Sequence, residues 1–70
     1  MHMLATVVSS DSRHLLVRDF KTKDEVLALF QRARAFKPGD CVRIEFDRKF
    51  TGDLPHMIIA TSIWEIECPD

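Results

Sequence analysis

Hydrophobic and polar positions alternate along most of this chain, the period-two pattern of strands that bury one face. Residues 3–10 are apolar and rich in β-branched side chains, and Ser9-Ser10-Asp11-Ser12 follows as a run of turn formers, predicting a first strand and its reversal. Residues 14–20 set Leu15, Val17 and Asp19 against His14, Leu16, Arg18 and Phe20, which predicts a second strand hairpinned to the first. Lys21-Thr22-Lys23-Asp24 then breaks the pattern. Lys37-Pro38-Gly39-Asp40 reads as a type II turn, because Pro presets φ at its second position and Gly accepts the positive φ of its third. Residues 41–48 alternate strictly, with Val42, Ile44 and Phe46 opposite Cys41, Arg43, Glu45 and Asp47, as in a one-sided antiparallel strand. Residues 50–55, with Gly52 and Asp53, read as a loop. Residues 56–67 predict a last strand, apolar on both faces and exposing an apolar patch at one end.

The local rules conflict between positions 25 and 36. Thr22 and Glu25 have capping-box spacing, Val26, Leu29, Phe30 and Ala33 share one helical face, and Arg32, Arg34 and Lys37 sit where a helix C-terminus favours cations. The same residues also pair as a third strand over 25–30, followed by a helical turn over 31–35. Strand is the preferred reading, because tertiary context overrides propensity.

Four or five short strands in 70 residues predict a closed barrel, since closure removes exposed edges. The expected fold is therefore mainly β, a single domain over residues 1–70. It is a small five-stranded OB-like barrel of the SH3/OB type with a short helical turn between strands 3 and 4. The alternative is an α+β fold with a helix at 23–35. A chain this short stands near the lower limit of what one core can stabilise, which makes association with a second copy a natural supplement.

Phe36, Pro38-Gly39-Asp40, Val42-Arg43-Ile44, Thr51, Pro55, Ile58 or Ile59, Ala60 and Ile63 resemble a family of small bacterial OB-fold-like domains of unknown function. Leu15-Leu16-Val17 and Glu25-Val26-Leu27 look like that family's second and third strands. The chain departs from the pattern at Asp53-Leu54-Pro55-His56, where a more proline-rich loop is expected, and at Ala28-Leu29-Phe30, which is more apolar. The resemblance implies a fold and no chemistry.

Net charge is −1, yet all ten Lys and Arg lie between Arg13 and Lys49, while residues 50–70 carry four acids and no base. Such asymmetry permits a basic face opposed to an acidic one. Cys41 and Cys68 have no nearby cysteine at metal-ligand or redox-motif spacing, so free thiols are expected, with a disulfide open if the fold joins their strands. No apolar run approaches a membrane span and the N-terminus shows neither a basic n-region nor a signal-type hydrophobic stretch, so the expected location is cytoplasmic. Met1-His2-Met3 admits a native start at Met3, in which case His2 carries no function.

His2, His14 and His56 are scattered away from ligand spacing, and no metal or cofactor is expected. Glu45 and Asp47 share a strand face as an acid/base pair would, but Arg43 beside them favours cross-strand ion pairing. Ser9, Ser10, Ser12 and Ser62 lack a nucleophile-elbow setting, and two glycines cannot build a phosphate loop. The chain is accordingly expected to be a non-enzymatic binding or adaptor module, engaging a protein partner or a second copy. The alternative is single-stranded nucleic acid or oligosaccharide held on a basic barrel face. Its candidate residues are Arg32, Arg34, Lys37, Arg43, Arg48, Lys49, Phe50 and Trp64, with Arg18 and Phe36 as further contributors.

Overall fold

The computed structural model describes residues 1–50 and 57–69, with residues 48–50 described by backbone alone. Five strands form in chain order: β1 His2–Ser10, β2 His14–Asp19, β3 Glu25–Leu29, β4 Cys41–Phe50 and β5 Met57–Ile66. A single 3-10 turn, Ala33–Ala35, lies between β3 and β4. The strands close in the order β1-β2-β3-β5-β4, antiparallel throughout except for the β3–β5 pair. This is the small OB-like barrel expected from the hydrophobic pattern. Among the described residues no helix is long and apolar enough to cross a membrane.

The inward residues follow from the pleat. Met3, Ala5 and Val7 of β1, Leu15 and Val17 of β2, and Val26 and Ala28 of β3 meet Val42, Ile44 and Phe46 of β4 and Ile58, Ala60 and Ile63 of β5. The core mixes large branched side chains with the alanines Ala5, Ala28 and Ala60, the combination of sizes that a narrow barrel accommodates. Ala33 from the 3-10 turn is fully buried, and Phe30 and Phe36 pack against the same core with their rings 6.4 Å apart.

The helix allowed at 23–35 does not form. Val26 and Ala28 point into the barrel at strand spacing, and Thr22 accepts a hydrogen bond from the Asp24 N–H rather than capping a helix. Lys23 adopts φ 66° in the turn that Asp19 organises by accepting from the N–H groups of Lys21 and Thr22. Glu25 pairs with Arg18 on β2 instead of closing a capping box. Tertiary pairing has overridden a competent local helix signal.

The apolar character of β5 on both faces has a geometric cause. Glu45 stands opposite Ser62 and Phe46 opposite Ala60, so the ladder carries one extra residue, Thr61, on β5. A bulge of this kind reverses which parity faces inward, from Ile58 and Ala60 before it to Ile63 after it. Ile59 and Trp64 are left outside, 50% and 48% exposed. The β4–β5 ladder shifts register again between Phe46 and Lys49, this time with the extra residue on β4, and a third irregularity, between Val7 and Ser9, bends β1 where it leaves β4.

The Pro38-Gly39 turn closes as expected, with the Asp40 N–H donating to the Lys37 carbonyl at 3.0 Å and Gly39 at φ 95°. The Lys37 N–H in turn donates to the Asp40 carboxylate. Phe50, expected to begin the loop, instead ends β4 opposite Met57; the rest of that loop, Thr51 to Pro55, and His56, expected to open the last strand, lie outside the described residues. The expectation of free thiols is overturned. Register sets Cys41 opposite Ile66, the tail turns toward β4 after that point, and Cys41 and Cys68 form a disulfide with Cα atoms 5.2 Å apart. A two-residue step past a paired strand end was enough to bring the sulfurs together, which spacing in the sequence does not reveal.

Candidate functional site

One groove opens on the outside of the barrel where β3 and β5 part. It encloses about 1130 Å³ and is lined by Arg13, His14, Leu29, Phe30, Gln31, Arg32, Ile59, Ala60 and Thr61. Three elements build it. The β1–β2 turn supplies Arg13 and His14, the exit from β3 supplies Leu29 to Arg32, and the bulged middle of β5 supplies Ile59 to Thr61.

The turn is fixed by Asp11. Its carboxylate accepts from the N–H groups of Arg13 and His14, each at 3.1 Å, and lies 3.1 Å from His14 Nδ1. These donors stabilise the ionised form, first the Arg13 N–H and then the His14 ring, and hold the Asp11 carboxyl below the usual aspartate value. The Phe30 N–H donates to the Arg13 carbonyl at 2.9 Å, tying the turn to the end of β3. The two cationic rims are thus anchored to each other through backbone.

A pH dependence follows. Because the folded-state value is lowered, the ordering of the turn by Asp11 is present at neutral pH, above the unfolded value. It is lost as pH falls through the lowered one. An NMR titration of the Asp11 carboxyl is expected to give a midpoint below that of an unstructured peptide, with the Arg13 and His14 amide resonances moving at the same pH. A midpoint at the peptide value would remove Asp11 from its role in shaping the rim.

The floor of the groove continues as an aliphatic surface. On the outer face of the sheet, Leu16 of β2 stands beside Leu27 of β3 and Met57 of β5, and in the next row His14 stands beside Leu29 and Ile59. Leu16, Leu27, Leu29 and Met57 are partly buried, whereas Ile59 is half exposed. Arg18 and Glu25, 2.9 Å apart, close the far end of this face. Among the described residues no carboxylate lines the groove itself, and the Asp11 carboxylate beside His14 is engaged by the N–H groups of its own turn.

The residues expected from sequence fall in separate places. Arg32 lies on the groove, while Arg34 and Lys37 are exposed on the 3-10 turn and the following turn. Arg43 is on the outer face of β4, between Leu4 of β1 and Trp64 of β5, and pairs along its own strand with Glu45 at 3.5 Å rather than across strands. Arg48, Lys49 and Phe50 are positioned by backbone only, at the end of β4. Phe36 packs against the core with Phe30. Arg13 and Ile59 belong to the groove and were missed, because only β2–β3 pairing and the β3–β5 crossover bring positions 13, 32 and 59 together. Compared with protein-family profiles, with curated proteins and with solved structures, the chain matches none of them.

Proposed function

We propose that this protein is a small non-enzymatic binding module whose groove receives an extended, aliphatic and acidic segment of a protein. The observation that carries this reading is the composition of the groove: Arg13, Arg32 and His14 around an aliphatic floor, with no carboxylate among its described lining residues. Apolar floor contributes affinity through burial, and the cationic rim selects sign and orientation.

Single-stranded nucleic acid is the less favoured ligand because base stacking needs exposed rings. The outer rows of β2 and β3 present leucines, Phe30 and Phe36 are partly buried against the core, and Trp64 stands away from the groove lining. As to location, the Cys41–Cys68 bond supports an oxidising compartment over the cytoplasm first expected, since cytosolic thiols are kept reduced.

The test is fluorescence anisotropy with two probes, a labelled peptide alternating Glu with Ile and Val, and a labelled oligothymidylate of equal charge. The peptide is expected to bind. Arg32→Glu should weaken it at least tenfold, the scale of roughly 1.4 kcal/mol for one lost charge contact, and Ile59→Asp should abolish it. Binding of the oligonucleotide alone, falling steeply with salt, would replace this reading with the nucleic-acid one.

A further inference from the structure

β4 flanks β5 along its length, but on the other side pairing with β3 stops at Ile59. Among the described residues no backbone hydrogen bond from a loop reaches residues 60–66. Among the described residues the C-terminal half of β5 therefore presents peptide N–H and C=O groups on one side without a strand partner, a template for an added strand. Its sequence, Thr61-Ser62-Ile63-Trp64-Glu65-Ile66, favours extended structure and contains neither the Pro nor the Lys that commonly blunts such an edge. The tail does not cover it, because Cys68 is drawn to Cys41 on the β4 side.

Charge along this edge is polarised. At its start, Ile59 to Thr61 belong to the groove with Arg13, His14 and Arg32. At its end stand Glu65 and Glu67, both exposed. A parallel neighbour of the same sequence would set acid beside acid, whereas an antiparallel one sets the acidic end of each strand against the cationic groove of the other. Resting on the reading of the groove as a receptor for an acidic, aliphatic strand, we propose that the strand it takes is β5 of a second copy of this chain. The two barrels pair edge to edge and antiparallel about Ile63.

In that register Thr61 stands opposite Glu65 of the second copy and Ala60 opposite Ile66. Trp64, half exposed on the outer face, lies over the small Ser62. The arrangement is a two-fold, so every contact occurs twice and the strand edge of each copy is closed by the other. Two barrels of marginal size gain a continuous sheet across their interface.

Sedimentation equilibrium of the full chain, disulfide intact, tests this from micromolar to millimolar concentration. The mass is expected to rise from 8.1 kDa toward twice that value. Arg32→Glu and Glu65→Arg, both at exposed positions, should each raise the dimer dissociation constant about tenfold, since every lost charge contact is lost twice. Combining the two changes in one chain should restore it. A mass of 8.1 kDa throughout, or a dimer indifferent to both single changes, overturns the proposal. The Glu-Ile-Val peptide separates the two readings: a monomer that still binds it through Arg32 sinks the dimer and leaves the groove reading standing, and a monomer that binds nothing sinks both.

Discussion

Replacing Ile44 with alanine is expected to remove between a third and all of this protein's stability. Ile44 is fully buried at the middle of β4, paired with Met3 of β1 on one side and Ile63 of β5 on the other, so its side chain sits where three strands meet the core. Truncation removes three buried carbons and leaves a cavity that a closed barrel cannot collapse to fill, a cost of about 3–4 kcal/mol. A chain of 70 residues has a total stability of roughly 3.5–10 kcal/mol. Urea unfolding followed by circular dichroism measures it. A midpoint close to that of the parent protein would mean that the barrel interior is not packed around Ile44.

Breaking the Cys41–Cys68 bond should have an effect of similar size through a different state of the chain. The bond closes a loop of sequence separation 27, and the entropy it removes from the unfolded ensemble corresponds to about 3.5 kcal/mol. For a domain of this size that is a fall in melting temperature of about 15–25 °C. Cys41→Ala with Cys68→Ala should reproduce the effect of adding a reducing agent to the parent protein, and reductant should then leave the double variant unchanged. Equal melting of oxidised and reduced parent would show that the bond contributes nothing to the fold. Cys41 is buried and Cys68 exposed, so a reductant would act from the tail side.

Much of this barrel is legible in the sequence because its strands bury one face. Val42, Ile44 and Phe46 announce β4 by alternation alone, and Pro38-Gly39 announces the turn before it through φ requirements that few other pairs meet. Positions 25–36 resist because Thr22, Glu25 and the Val26-Leu29-Phe30-Ala33 stripe satisfy local helix rules, and the deciding term is pairing with Leu15, Leu16 and Val17. For β5 the difficulty lies in the bulge at Thr61, which mixes two inward parities in one run and hides the alternation.

The groove was less legible than the fold. Its residues come from positions 13–14, 29–32 and 59–61, and nothing local marks them as neighbours. Grouping basic residues by sequence proximity joined Arg32 to Arg34 and Lys37, and to Arg43, which faces Trp64 on another part of the barrel. Arg13 and Arg32 flank the ends of the paired strands β2 and β3, a relation that exists only in the β2–β3 register and leaves no local mark in the sequence.

The claim that the groove is the binding surface is tested most directly by following backbone amide resonances while the Glu-Ile-Val peptide is added. Shifts are expected only at Arg13 and His14, Leu29 to Arg32 and residues 59–66, with the outer faces of β1 and β4 unmoved. Shifts centred instead on Leu4, Arg43 and Glu45, or an unchanged spectrum at saturating peptide, would contradict it.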